Sequence, residues 1–440
     1  MVKRVTRVRA GDVGRENLGK KMHRWMSDLF PIARSLTGNG VRATLDYLHE
    51  LLPALETRSI ASGTSVFDWT VPDEWTIRSA HIETEEGEKI VDFATNNLHV
   101  VGYSEPVDQW LDLEALQKHL YSLPDQPTAI PYVTSYYQRS WGFCLTHYQR
   151  EQLTPKKYRV VIDSEIKPGV LNYGELIIAG DTSEEIFIST YICHPSMANN
   201  ELSGPVVTTA LAQWIQTLPK RRYTYRIVFV PETIGSLVYL SRHLDHLKHH
   251  VIAGFNVTCV GDDLAYSYLP SRAGNTLSDK VARHVLKNID PAFKSYSWLD
   301  RGSDERQYCS PGVDLPIATI MRSKYASYPE YHTSLDDLEF VTPSGLNGGY
   351  LALKRAIEII EQNVVPVSTV LGEPQLGRRG LYPTSNLTRL TGHSRALIDL
   401  LSYADGTNNL LDIADLIDLP FWEIKPLFEQ LLMHGLVKSV

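Results

Sequence analysis

Three short polar stretches of this 440-residue chain hold side chains that can do chemistry together. The first runs from Cys193 and His194 through Asn199, Asn200 and Glu201 to Ser203 and Gly204. Its histidine follows the apolar run Ile186–Cys193, and a histidine at a strand end can offer a ring nitrogen to a metal ion. Asn200 and Glu201 open the next helical pattern, where the small Ser203-Gly204 pair permits close packing of helix on sheet. A helix N-cap beside a satisfied histidine explains this stretch about equally well. The second stretch is Tyr331-His332-Thr333-Ser334-Leu335-Asp336-Asp337, where Asp336 or Asp337 can orient the His332 ring. Alone, it reads better as a surface loop capping the long helix that follows. The third, Gly302–Tyr308, packs Ser303, Asp304, Glu305 and Arg306 before an apolar strand. It is either a salt-bridged turn or a recognition site for a charged substrate end.

What must position these residues is an alternation of strand and helix patterns from about Leu176 onward. The strand runs Ile186–Cys193, Arg226–Pro231, Val251–Val260 and Ile317–Met321 precede helical patterns over Val206–Gln216, Ser236–His243, Leu277–Asn288 and Ser344–Gln362. That order predicts a largely parallel α/β sheet, whose ligands bind beyond the carboxyl ends of its strands. Glu232 follows the second run, and Asp262 and Asp263 follow the third, so these join His194 in one region. Met22–Leu52 reads as two amphipathic helices around a turn at Ser35–Gly40. From Ile60 to Val170 the chain is rich in Trp, Tyr, Thr, Val and Pro, with strand-like runs at Leu98–Tyr103 and Tyr158–Ile162 and a helical stretch at Leu113–Leu120. We read it as a β-rich insert whose Tyr136, Tyr137 and Trp141 can line a pocket. Pro366–Thr388 reads as a linker. Arg395–Tyr403, Leu411–Asp418 and Phe421–Met433 read as helices and Leu436–Ser439 as a strand, a pattern resembling a winged helix-turn-helix.

Composition bounds the class. The chain is 43% hydrophobic and 21% charged with a formal net charge of −8, which argues against wrapping nucleic acid or lying on an anionic membrane. Cys144, Cys193, Cys259 and Cys309 are scattered and form no CxxC pair, so a reducing cytoplasm is expected. Met1–Lys21 lacks the apolar run of a signal peptide, and no stretch reaches the roughly 18 apolar residues of a membrane span.

The ordered pieces His194, Asn200-Glu201-Leu202-Ser203-Gly204, Pro231-Glu232, Ser303-Asp304 and Tyr331-His332-Thr333 resemble the M28-type zinc aminopeptidases. The phrases Cys193–Ser196, Pro231–Ser236, Asp304–Tyr308 and Pro329–Ser334 look closer still to a bacterial branch of that family. Its members join an aminopeptidase-like domain to an inserted domain of unknown function and a C-terminal winged helix, and some are labelled polysaccharide biosynthesis proteins. The resemblance covers nearly the full length. It implies an α/β fold of zinc-exopeptidase type, a mixed sheet with helices on both faces. The expected domains are residues 1–60 and 171–365 for the α/β unit, 61–170 for the insert, and 366–440 for linker and winged helix.

The chain departs from the two-zinc pattern. The family's bridging Asp falls on Asn200, its Glu-Glu pair on Pro231-Glu232, and its third-strand Asp on Thr258, with Asp262 a few residues on as a substitute. Having lost about three carboxylates, the site is expected to hold one zinc ion, through His194 and His332 with Asn200 or Glu201, and Glu201 either binds metal itself or braces His194. Glu232 is the expected general base; if it is a ligand instead, Glu201 or Glu305 takes that role. Asp304 stands with Glu232 as a catalytic candidate. Asp304 and Glu305 suit a substrate amine, and Arg272 or Arg306 a substrate carboxylate.

In the C-terminal segment from Ser394, three cations (Arg395, Lys425, Lys438) face seven anions. The third helix brings Trp422, Glu423, Lys425 and Glu429 and no Arg, so DNA is not the expected partner despite the winged helix. Packing on the catalytic domain, or on a second subunit of a homo-oligomer, is expected instead. The resulting expectation is a zinc-dependent hydrolase of an amide or peptide bond in a small aminoacyl or peptide-like substrate. The alternative is an aminopeptidase-like binding or assembly protein that has lost the chemistry.

Overall fold

Residues 17–136, 138–381 and 392–440 are described by the computed structural model. An eight-stranded sheet runs in the order Glu56–Ala61, Val170–Ile178, Thr224–Val230, Glu185–Tyr191, Val251–Asn256, Ile317–Met321, Ser267–Leu269, Lys294–Ser295. Its four middle strands, Thr224–Val230 to Ile317–Met321, are parallel, and the flanking pairings Glu56–Ala61 with Val170–Ile178, Val170–Ile178 with Thr224–Val230, and Ser267–Leu269 with Ile317–Met321 are antiparallel. The sheet is therefore mixed. The parallel order expected from the alternation applies to its centre, and antiparallel pairings flank it.

Strand side chains alternate between two cores, as the period of two requires. Tyr225, Ile227 and Phe229 enter one core with the helices Leu18–Leu29, Ser203–Thr217, Leu277–Ile289 and Pro343–Gln362. Val228 and Val230 enter the other, with Val238 and Leu240 of the helix Ile234–His250 and residues of the insert. Every residue of Glu185–Tyr191 is buried, as befits a strand covered on both faces. Gly204 lets the next helix press onto this strand: a Cβ there would meet Thr190 Oγ1 at 2.3 Å and the Val257 carbonyl at 2.5 Å.

The chain leaves this sheet after Ala61 and rejoins it at Val170, residues that face each other in register. Between them lies a four-stranded antiparallel sheet in the order Lys89–Asp92, Glu74–Thr84, Lys157–Lys167, Val107–Asp112. The run Leu98–Tyr103 is not the expected strand. Asn97–His99 is a 3-10 turn capped by Asn96, and the run contributes only single bridges at Val100 and Gly102. The helical stretch at Leu113 ends at Gln117.

Pro366–Ser368, expected as linker, is a strand paired with Val437–Ser439. The helices Gly392–Tyr403, Leu410–Leu416 and Phe421–Met433 complete this unit. It docks on the α/β domain. His284 accepts the Phe421 N–H at 2.9 Å and bonds Asp415 at 2.7 Å, Lys287 pairs with Asp418 at 2.6 Å, and Arg355 stacks 3.7 Å from the Trp422 ring centre. Among the described residues, no helix is long and apolar enough to cross a membrane.

Candidate functional site

The carboxyl end of Glu185–Tyr191 delivers His194 to the floor of a cavity of about 210 Å³. The Nδ1 face of its ring meets Glu201 Oε2 at 2.8 Å, and its Nε2 lies 3.5 Å from Glu232 Oε2. Two ligands of one tetrahedral zinc ion lie roughly 3.4 Å apart, so the Nε2–Glu232 spacing suits a shared cation. Of the two roles expected for Glu201, metal ligand or brace of His194, the geometry gives it the brace. Glu201 sits on the π-turn Ala198–Leu202, a helical irregularity often found at functional sites. Asp336 locks that turn by accepting the Asn199 and Asn200 N–H groups at 2.6 and 2.9 Å. Asp337 accepts the Glu339 and Phe340 N–H groups. Neither aspartate orients His332, as the sequence had led us to expect. The His332 ring stacks on Tyr331 and meets Tyr132 edge-on, with ring centres 3.9 and 5.1 Å apart.

A buried arginine stands behind the brace. Arg34 is 1% exposed; it donates to the His194 carbonyl at 2.9 Å and the Leu29 carbonyl at 2.7 Å, and lies 3.7 Å from Glu201 Oε1. Burial pushes Glu201 up to about 8, and the Arg34 guanidinium pulls it back. A cation at Nε2 needs the lone pair there, which places the ring proton on Nδ1 and leaves Glu201 to accept it as carboxylate. Burial holds both His194 and His332 down to about 3, so both rings are neutral near pH 7.

Glu232 is positioned by strain. Ile234 N–H donates to the Glu232 carbonyl at 2.8 Å across Thr233, whose φ of 65° and ψ of −75° make the rare, strained form of γ-turn. Asp304 accepts the Thr233 N–H at 2.7 Å and the Ser236 hydroxyl at 2.9 Å, and Arg306 donates to Thr233 Oγ1 at 2.6 Å. Ser196, Cys259 and His332 also have positive φ, so four left-handed non-glycine residues lie at this sheet end. Burial and the neighbouring Asp304 hold the Glu232 carboxyl well above the usual range.

Asp304 is thus a support for Glu232, fully buried and not in the cavity wall, which corrects its assignment as a catalytic or amine-binding group. Glu305 is likewise consumed. Its Oε1 accepts from Gly302 N–H, Ser303 N–H and Tyr325 O–H, and its Oε2 from Asn256. Arg272 pairs with Asp314 and the Cys309 carbonyl, away from the cavity, so of the two arginines only Arg306 lines it. Asp262 does not replace the missing third-strand carboxylate: its oxygens take Asn199, Ser323 and Leu264.

Asn200 is buried beneath His194 and does not line the cavity. Its Nδ2 donates to Tyr191 O–H at 2.8 Å, and that hydroxyl meets Thr258 Oγ1 at 2.5 Å. Where the two-zinc pattern has carboxylates, this chain has a neutral hydrogen-bonded network. Among the described residues, donor atoms within 4.8 Å of one another occur at Cys193, His194 and Glu201. That trio suits a cation poorly. It is buried beside the Arg34 guanidinium, its His194 Nδ1 is engaged by Glu201, and Cys193 Sγ accepts the Glu232 N–H at 3.2 Å. The outward set of His194 Nε2, Glu232 and His332 has the better chemistry, two neutral imidazoles and a carboxylate on one cavity with ring centres 5.5 Å apart and, among the described residues, no hydrogen bond to the His332 ring nitrogens; its three donor atoms do not all lie within 4.8 Å of one another, so the His332 ring must swing inward to share an ion with the other two.

The insert supplies a wall that the motifs did not reveal. Tyr132 N–H donates to the His332 carbonyl at 2.8 Å, Ser334 N–H to the Ile130 carbonyl at 2.9 Å, and the Tyr132 ring centre lies 5.1 Å from that of His194. The Tyr132 and Tyr136 hydroxyls meet at 2.9 Å, and both residues line the cavity. Trp141 does not; it stacks on His119. Tyr137 lies outside the described residues. The aromatic richness of the insert was the available signal for this wall.

Residues 23–363 match the family described as a domain of unknown function, DUF4910, and residues 364–439 match a winged helix-turn-helix family. A Clostridium acetobutylicum protein named for polysaccharide biosynthesis and an aminopeptidase-like domain is 41% identical over 430 residues, covering 96% of this chain and 97% of its own. A crystal structure of a protein from the same organism, described as a candidate peptidase, superposes with a TM-score of 0.90 at 41% identity, covering 96% of each chain. The M28 peptidase precursor of Shewanella amazonensis (TM-score 0.57, 12% identity, covering 82% and 95%) and a Bacillus subtilis zinc aminopeptidase (0.56, 11%, covering 78% and 95%) share the fold.

Proposed function

This chain belongs to the DUF4910 family, with an aminopeptidase-like α/β fold and a C-terminal winged helix, and from that premise we propose that it is a hydrolase using one zinc ion to cleave an amide bond in a small aminoacyl or peptide-like substrate. The observation that carries this reading is the 3.5 Å approach of His194 Nε2 to Glu232 at the cavity floor, with His332 facing them. His194, His332 and Glu232 would hold the ion or its water between them. When bound, zinc would polarise the substrate carbonyl and acidify a water molecule.

The chain's own groups divide the remaining work. Glu201 and Arg34 fix the His194 ring. Glu232, on its strained turn, can take a proton from the attacking water and return it to the leaving amine. The water oxygen bonds to the carbonyl carbon, the C–N bond breaks, and a carboxylic acid and an amine leave. Tyr132 and Tyr136 wall the site from bulk water. The name of the Clostridium relative makes an aminoacylated sugar or a similar biosynthetic intermediate the substrate to try first. The neutral network of Asn200, Tyr191 and Thr258 favours a second reading, a binding or assembly protein that has lost turnover. Turnover of small aminoacyl amides by zinc-loaded protein, abolished in Glu232→Gln with zinc content unchanged, supports the hydrolase. Loaded, folded protein that turns over none of a broad amide panel rejects it.

A further inference from the structure

The cavity wall contains two charged residues, Glu232 and Arg306. A site built to receive a substrate ammonium needs a carboxylate to spare. Asp304 and Glu305, which stand nearest in sequence, do not line the cavity: Asp304 Oδ1 takes Thr233 and Ser236 while its Oδ2 is buried without a partner, and the Glu305 oxygens are taken by Asn256 and Tyr325. Glu232 is committed to the chemistry. Arg306, in contrast, spends one nitrogen on Thr233 Oγ1 at 2.6 Å, has a buried Nε without a partner, and lies within 4.0 Å of no carboxylate oxygen among the described residues. A guanidinium with no carboxylate in direct contact, its charge felt only at longer range by Glu232 and Asp304, is a seat for a planar anion on a confined cavity, which it binds through paired N–H groups.

The geometry points to Arg306 as a specificity-determining residue that seats a substrate carboxylate, so that the site recognises the acid end of an N-acyl amino acid or peptide-like molecule rather than a free amine. This rests on the hydrolase reading only for the consequence that the bound acid is turned over; the binding itself does not. The volume of about 210 Å³ leaves room for a small acyl-amino acid.

The test is calorimetric binding to the full-length protein, metal-stripped and zinc-loaded, with three probes: N-acetylglycine, N-acetylglycinamide and glycinamide. The expected result is tighter binding of N-acetylglycine than of its amide, by roughly 10-fold or more, in both metal states. Arg306→Met removes that preference, and Arg306→Lys, which keeps charge but not the fork, leaves part of it and serves if the methionine variant does not fold. Equal binding of acid and amide, a preference for glycinamide, a preference that survives in Arg306→Met, or no acid binding at all overturns the inference. An Arg306-dependent acid preference without turnover of any probe sustains it while counting against the hydrolase. Turnover confined to free-amine substrates and indifferent to Arg306 does the reverse.

Discussion

Glu201 Oε2 meets His194 Nδ1 at 2.8 Å, and this bond turns the other ring nitrogen toward the cavity. The carboxylate–histidine pair is assembled from a strand end and a π-turn seven residues apart, without the two-zinc pattern's full set of carboxylates. Glu201→Gln keeps the shape but not the charge. Its zinc affinity, read by competition with a chromophoric chelator, should fall by roughly 10- to 100-fold with little change in melting temperature. Unchanged affinity would make Glu201 a spectator.

Arg34 should matter to stability as well as to the site. Arg34→Met leaves the His194 and Leu29 carbonyls without their buried donor and removes the cation that pulls the Glu201 carboxyl back. Denaturant unfolding should show a loss of about 2–4 kcal/mol, the usual cost of leaving two buried acceptors unpaired. Adding Glu201→Gln should change this little, because burial already holds that carboxyl up to about 8 and mostly neutral at pH 7.

Asn200→Asp should not recruit a second zinc ion. Thr258 and Pro231 still stand where the two-zinc pattern has carboxylates, and Tyr191 can donate its hydroxyl to the new Asp. Elemental analysis should give no more than one zinc per chain for the variant. Two would show that Asn200 alone sets the count.

The sheet carries a pH-dependent ion cluster remote from the cavity. Burial raises the Glu185 carboxyl, but hydrogen bonds from Arg226 at 2.6 Å and His246 at 2.8 Å outweigh it and hold the folded pKa below the usual value. A depressed carboxylate contributes stability above the unfolded pKa of roughly 4.3 and loses it as pH falls through the folded value. Glu185→Gln should therefore lower stability at pH 7 by about 1–3 kcal/mol, with the gap to the parent closing below about pH 4. A gap that stays constant down to pH 3 would contradict this.

His194, Glu232 and His332 could be read from the sequence because residues just beyond strand ends converge whatever lies between them. What each carboxylate does there could not. Asp304 and Glu305 look like binding groups until Asp304 is seen to be buried off the cavity wall with Thr233 and Ser236 on one oxygen, and Asn256 and Tyr325, distant in sequence, are seen to take the oxygens of Glu305. Arg34 carries no signal in its local sequence, and only packing against the His194 loop, 160 residues on, buries it. Tyr132 reaches the site because the insert's Ile130–Tyr132 segment bonds to the His332 loop, a pairing with no local signature. Leu98–Tyr103 looked like a strand because it is apolar, but its residues pack as a turn between the insert and the α/β domain.

The central claim is one zinc ion held by His194 and His332 beside Glu232, and elemental analysis of purified full-length protein after dialysis tests it most directly. The account predicts about one zinc per chain, lost in folded His194→Ala and folded His332→Ala and kept in Arg272→Ala. Zinc absent from the parent and not taken up on titration, or retained in both histidine variants, would contradict it.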